Sequence, residues 1–414
     1  MSTAQWRALA AAISLLTFAT ALVANVPAKA PEVAPVASAE IASQFNNRAA
    51  QCFSEARYAD AEAHYRKALE LWQQNPGNEA SIALALNNLG VLLRRQARYS
   101  EAETVDLQAL KTLEELLGPK HEQTAAALDN IGELYSMQGR LAEAEASLRR
   151  GLAILEKARG KNDPDTAVAS SFLADVYRKQ GKIENARQLL ERALETIRKS
   201  SGPMDARAAP ILNNLSAVYE QQHKYNDAEK SVLRAIAIFD RTSGPNHPDV
   251  AAALINLAAI YLDRHKYKKA MELDRRALQI NESTLGPAHP VIATSLNNLG
   301  AVSFRLHRYA EAETLFQQAL SKWEKSASPN PMLVGDTLRN LGMVYVAERR
   351  NSDALECYER AIATHEAAAG PNTPGLIADL EAYADVLRRV NDFADAEKAS
   401  VRALGIQVRN TLHP

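Results

Sequence analysis

The chain has 414 residues, 47% of them hydrophobic, which is ample material for a core and on length alone would suggest two or three globular domains. Its 48 basic and 49 acidic residues leave a net charge of −1, without the basic excess usual in nucleic-acid-binding proteins.

The N-terminus differs from everything after it. One basic residue, Arg7, precedes an uncharged stretch from Ala8 to Ala24, and an Ala/Pro/Val-rich segment follows. That is the layout of a secretory signal peptide within residues 1–25, with Ala24, Ala28 and Ala39 as cleavage points and Pro31 disfavouring cleavage after Ala30. The 17 residues of the apolar stretch fall short of the roughly 20 that span a bilayer, and an uncleaved, tilted anchor is the second reading. Residues 26–40 read as a linker. The expected location is therefore export, periplasmic or secreted, with membrane contact only if the first segment is retained.

From residue 41 to about 410 one pattern takes over. SLNNLGAVSFRLHRYAEAETLFQQAL, ending at Leu320, nearly repeats ALNNLGVLLRRQARYSEAETVDLQAL, ending at Leu110. A small residue ends each "NNLG"-like string: Gly90, Gly132, Ala174, Ser216, Ala258, Gly300, Gly342 and Ala384, always 42 residues apart, with Ala49 one residue closer. A second small residue follows twelve positions later, from Ala61 to Ala396, and a third seven beyond that, from Ala68 to Ala403. Such strict self-similarity overrides the length prior and predicts one solenoid in which each unit packs on its neighbours.

Each copy reads as two helices. Leu296, Leu299, Gly300 and the aromatic three residues past the anchor (Tyr135, Tyr177, Tyr219, Tyr261, Tyr345) form one stripe of a 3.6-residue period. A turn follows, and helix B opens at "RYAEAE" and carries Ala312, Phe316, Ala319 and Leu320 at helical spacing. The small residues suit helix axes that approach to roughly 8–10 Å. Between copies, Gly118, Gly160, Gly202, Gly244, Gly286 and Gly370 suit the left-handed residue past a helix end. Pro248 and Pro290 suit a first helical turn, Asp163-Pro164 an N-cap and N1 pair, and Ser328-Pro329 departs from the pattern.

These small residues, the Tyr three past the anchor and the two Ala of helix B resemble the tetratricopeptide repeat. The 42-residue period and the LNNLG…Y…GPxHPxxA wording resemble the kinesin light chain type. The resemblance implies an all-α, right-handed superhelical solenoid of about nine antiparallel helix pairs, and a fold that presents binding surfaces to many partners. No heptads precede the repeats, so a motor-linked role is not carried over.

No catalytic motif is present: "HEQT" at His121 lacks a second metalloprotease His, and GxGxxG, P-loop and GxSxG patterns are missing. No cofactor or metal is expected. His223, His265 and His307 recur at one position in three copies, but points on stacked repeats lie on the order of 10 Å apart, too far for one ion, so they read as turn residues. Cys52 and Cys357 read as small core residues. The cations before helix B, from Arg57 to Arg350, read as a solvated surface position.

The asparagines two residues before the anchor carry the functional reading. Asn47, Asn88, Asn130, Asn214, Asn256, Asn298 and Asn340 sit away from the stripe, on what the resemblance makes the concave side, and copies four and nine break the row with Phe172 and Ala382. Asn is a poor helix-interior residue, which leaves two readings. The amides hold the backbone of an extended peptide in the groove, each offering donor and acceptor together, or they tie adjacent A helices as struts. Ala217, Ala259 and Ala301, one past the anchor, would form a flat groove floor. A carboxylate clamp is not supported, because Asn213, Ile255 and Asn297 stand where Lys is needed. The function expected is a non-catalytic scaffold that binds an extended peptide segment of a partner protein. The alternative is a structural subunit of an envelope complex using the convex face or the ends, where Val401, Leu404 and Ile406 of the last helix stay open. Neither reading fixes the partner or the oligomeric state.

Overall fold

A computed structural model describes residues 36–75, 77–287, 289–325, 330–373 and 375–412. The Ala8–Ala24 stretch, the cleavage points Ala24 and Ala28, and Ser328-Pro329 lie outside the described residues. Every element in the described residues is a helix. The pairs are α1 (Val36–Ser54) with α2 (Tyr58–Gln73), α3 (Glu79–Arg95) with α4 (Tyr99–Leu117), and α5 (Glu122–Met137) with α6 (Leu141–Arg159). Next come α7 (Pro164–Lys179) with α8 (Ile183–Ser201), α9 (Ala208–Gln221) with α10 (Tyr225–Thr242), and α11 (Pro248–Asp263) followed by α12 (Tyr267–Leu285). The last are α13 (Pro290–Arg305) with α14 (Tyr309–Glu324), α15 (Pro331–Ala347) with α16 (Asn351–Ala369), and α17 (Gly375–Arg389) with α18 (Phe393–Leu412). This is the all-α solenoid of helix pairs that the repeat predicts. The first helix opens at Val36, inside the segment read as linker.

The anchors are small because of what faces them. A Cβ built on Gly300 would lie 2.7 Å from the Phe316 ring, one on Gly342 2.9 Å from Tyr358, and one on Gly132 2.4 Å from Leu148. Each facing side chain comes sixteen residues later, from helix B of the same pair. The first Ala of helix B is 0% exposed in eight copies, Ala61 through Ala354, and Ala396 is 1% exposed. Each helix pair therefore closes on two positions that tolerate no bulk.

The turns repeat on the same grid. Ala56, Ala97, His223, His265, His307, Arg349 and Asn391 all take φ of 56–64°, and Gly139 and Gly181 take 78° at the equivalent position. The three histidines are thus left-handed turn residues, and each Nδ1 lies 2.7–2.9 Å from the hydroxyl of Tyr225, Tyr267 or Tyr309 two residues on. The glycines between copies differ from expectation. Gly118 has φ 91°, ψ 160° and Gly202 has φ 89°, ψ 171°. Their φ is positive, but the backbone is extended rather than left-handed helical, a region essentially restricted to glycine. Asp163 caps α7 as expected, its carboxylate accepting from the Asp165 and Thr166 amides ahead of Pro164.

The described residues up to Ile260 form one compact unit and those from Tyr261 onward a second. In the first unit an ion pair departs from the nearest-neighbour rule. Arg95, ending α3, donates to Asp249, near the start of α11, at 3.1 Å across 154 residues. Both are nearly buried, at 7% and 1% exposure. Burial works to raise the Asp249 pKa, but Arg95 and His247 outweigh it and hold the carboxyl below its ordinary value.

The second unit encloses a charged cluster. His365 Nδ1 lies 2.6 Å from Asp379, and its Nε2 lies 3.0 Å from the Met332 carbonyl, to which it must donate. Arg339 donates to Asp379 at 2.9 Å and to Asp336. The ring fits because residue 335 is glycine; a Cβ there would lie 2.4 Å from His365 Nε2. Burial pulls the His365 pKa down, but Asp379 and then Asp336 outweigh it, and the net shift is upward.

Two outcomes follow from this packing. Gly300→Leu drives a side chain into Phe316 and costs roughly 1–3 kcal/mol. Thermal unfolding measures the loss, and hydrogen exchange locates it in the pair α13–α14 and its neighbours. For His365, a folded pKa above the unfolded value of about 6.5 means the protonated ring stabilises the fold below that pH. The contribution is lost as pH rises through the folded pKa. The melting temperature of the unmodified chain should therefore fall, relative to a His365→Asn variant, as the pH rises above about 6.5, and parallel pH profiles would refute the assignment.

Candidate functional site

The asparagine row divides in two. Asn214, Asn256 and Asn340 are 1%, 7% and 3% exposed, whereas Asn88, Asn130 and Asn298 are half-buried. Asn256 Nδ2 donates to Asn213 Oδ1 at 2.9 Å, and Asn340 Nδ2 to Asn297 Oδ1 at 3.2 Å. Each bond joins one A helix to the A helix before it, linking a residue two before one anchor to a residue three before the previous one. Asn130 instead accepts from Arg94 at 2.9 Å. Ala217 and Ala301 are 9% and 2% exposed, and Ala301 packs among Phe316, Leu341 and Tyr345. Ala259 is half-buried. Two of the seven asparagines thus serve as struts, Asn47 is exposed, and most of the alanine surface lies against neighbouring helices.

In the first unit, the A helices α3, α5 and α7, with Leu113 of α4 and Leu155 and Arg159 of α6, line a partly open cavity of about 230 Å³. Asn88 and Asn130 line it, together with Asn87, Asp129, Val91, Val168 and Phe172. Phe172 replaces the asparagine that the row would place there and forms part of the apolar wall. Asn87 and Asp129 sit three residues before Gly90 and Gly132, one step from the row that sequence reasoning singled out. The 42-residue grid marks this position as the one where a carboxylate clamp would need Lys, and nothing else in the sequence distinguishes it. Asp129 lies over α6. A Cβ at Gly151 would come within 2.7 Å of its Oδ1, so glycine replaces the usual alanine where the carboxyl needs room. Burial, and then the Glu133 carboxylate, push the Asp129 carboxyl well above the usual range.

Other charged residues of these repeats are paired. Arg159 donates to Glu122 at 2.7 Å and to Asp165. Arg94 donates to Asp106 at 2.6 Å, and burial still raises that carboxyl to about 6. Asp175 accepts from Arg178 and pairs with Lys179, both at 2.8 Å; burial opposes its ionisation, but the two cations hold it at about 2. Pairing these charges makes their burial tolerable.

The cations ahead of helix B are surface groups with fixed partners. Arg98 reaches Glu62 at 2.6 Å, Arg140 reaches Glu103 at 2.8 Å, and Arg350 reaches Glu313 at 3.0 Å, each glutamate lying on the preceding helix B. Arg140 and Arg350 also stack at 3.9 and 4.1 Å on Tyr135 and Tyr345. Cys52 and Cys357 are 1% and 6% exposed free thiols.

The tetratricopeptide repeat family model matches residues 40–115, 81–157, 151–199, 207–283, 249–325 and 333–407. No curated protein matches the chain in sequence. Among solved structures, the quorum sensor NprR from B. thuringiensis is 16% identical over 89% of this chain and 99% of its own, with a TM-score of 0.56. A Rap protein complexed with Competence and Sporulation Factor is 17% identical over 79% of this chain and 98% of its own, with a TM-score of 0.52. Kinesin light chain-like repeats from Podosopora anserina are 21% identical over 51% of this chain and 99% of their own, with a TM-score of 0.38. At these identities the likeness concerns the fold. Taken with the 42-residue grid and the paired helices, the matches along most of the sequence show that the chain belongs to the tetratricopeptide repeat family.

Proposed function

We propose that the chain is a non-catalytic scaffold that binds an extended segment of a partner protein on its A-helix face, centred on α3, α5 and α7. The cavity between these helices carries the reading. Its apolar wall is set with a few converging polar groups, the usual makeup of a recognition site, and Asn88 and Asn130 within it are half-buried, as is Asn298 elsewhere in the row. The neighbour solved with Competence and Sporulation Factor supports a repeat array that captures another molecule. The buried Asn256 and Asn340 act in the frame rather than at the surface.

The alternative, an assembly subunit, draws on the last helix, where Val401 and Leu404 are 62% and 59% exposed. Ile406, grouped with them in sequence, is 2% exposed and belongs to the core. One set of variants separates the readings. Ala126→Trp fills the cavity and should lower affinity for a captured partner segment at least tenfold while the melt is retained. Asn256→Ala should reduce stability by about 0.5–1.5 kcal/mol and leave affinity unchanged. Undiminished binding by Ala126→Trp, with loss on Val401→Asp and Leu404→Asp, would place the interface at the end of the solenoid.

We further propose that the protein is exported, on the pattern of Arg7 followed by the uncharged run from Ala8 to Ala24. N-terminal sequencing of protein from its native cell should find the mature start between Asn25 and Glu40. A soluble cytosolic species beginning at Met1 or Ser2 would overturn this.

A further inference from the structure

The last described helix, α18, has two apolar faces. Ala396, Ala399, Ala403 and Ile406 are buried with Leu376, Leu380 and Ala384 of α17. On the opposite side Val401, Leu404 and Val408 stand at helical spacing, and all three are exposed. Gly405 completes this second stripe, and a Cβ added there would meet nothing within 4 Å. Arg402 and Arg409 at its margin are engaged with Glu366 and Asn372 of their own chain. The repeat grid marks the stripe as unusual. Seventeen residues past the anchor, Arg66 and Arg275 pair with Glu101 and Glu311 of the following helix B. Twenty-four past it, Glu114, Glu324 and Glu366 pair with Arg150, Arg360 and Arg402 of the following helix B. Among the described B helices, α18 alone is apolar at both places, and it alone carries glycine, a poor helix former, 21 residues past the anchor.

We propose that this face docks a second copy of the chain, the two α18 helices packing antiparallel about a two-fold axis. The stripe is complementary to itself in that register. With the axis between residues 404 and 405, Val401 faces Val408 of the second copy and Leu404 faces its Gly405. Each leucine fills the space that the opposite glycine leaves open, and every contact occurs twice, as a two-fold interface requires. A head-to-tail copy would instead extend the solenoid. The same grid would then set Val401 against Asp60 and Val408 against Lys67 of the second chain, and both charges would lack the partners that other repeats supply. One helix pair is a small contact, so the dimer should depend on concentration. The proposal is independent of the groove reading and stands whether or not the groove binds a segment.

Sedimentation equilibrium of the full chain over a concentration series should fit a monomer–dimer equilibrium. Leu404→Glu should raise the dissociation constant at least tenfold, with the circular dichroism melt retained because the residue is exposed. Gly405→Leu tests the register. Nothing in its own chain opposes the added side chain, and leucine is the better helix former, so the melt should hold or rise. The dimer should nevertheless weaken at least tenfold, because the space for Leu404 of the second copy is filled. Oxidation of a mixture of Val401→Cys and Val408→Cys chains should give a disulfide-linked mixed dimer, while Val401→Cys alone should give little. A monomer at every concentration, a dimer unaffected by Leu404→Glu, or a mass that keeps rising past the dimer overturns the proposal. A Gly405→Leu dimer as tight as the unmodified one, or efficient linkage of Val401→Cys to itself, overturns the antiparallel two-fold pairing.

Discussion

The structure depends on the close approach of helix A to helix B within each repeat. At Gly300, Gly342 and Gly132 the missing side chain is the space occupied by Phe316, Tyr358 and Leu148. Around this contact, the alanines of helix B are buried. Because the contact recurs on a fixed grid, each pair presents the same faces to the next, and the solenoid propagates by repetition rather than by long-range design. The turn between the helices is equally constrained. Its left-handed residue is alanine, histidine, arginine, asparagine or glycine in different copies, so backbone geometry, not side-chain chemistry, is what repeats.

Within this frame the polar residues do two kinds of work. Some join neighbouring helices. Asn256 with Asn213, Asn340 with Asn297, and the arginines that reach back to the previous helix B turn adjacent repeats into a cross-linked lattice. Others form buried charged clusters, such as His365 with Asp379 and Arg339, and Arg95 with Asp249. Replacing such clusters by apolar groups is often no less stable, so their value lies in specifying one arrangement. The Arg95–Asp249 pair does so over 154 residues, which no nearest-neighbour contact can do.

Asp129 fits neither kind. Its neighbours in the same register, Asn213 and Asn297, accept from the next helix, and Arg339 meets Asp336 and Asp379. At the corresponding place in α7 stands Phe172 where an asparagine would donate, and the Asp129 Oδ1 is left without a partner. Phe172 and Asp129 both line the same cavity, while the unpaired Oδ1 itself is buried against Gly151 of α6.

The sequence by itself determined the helix pairs, their 42-residue period, the small anchors, the turn histidines and the Asp163 cap. Each of these is local: periodicity, capping and turn chemistry are written within one repeat. It did not determine which asparagines face open space. The 3.6-residue period places Asn214 and Asn298 on the same side of their helices, yet one is 1% exposed and the other half-buried. Burial at such a position is set by the helices beside it. A strut needs an acceptor on the preceding A helix, and a cavity needs three helices whose side chains leave a gap. Likewise Arg95 has nothing in its own repeat to mark it as the partner of Asp249. Only the tertiary structure decided these, because they depend on residues far apart in sequence whose separation in space is fixed by the accumulated rotation of one repeat upon the next.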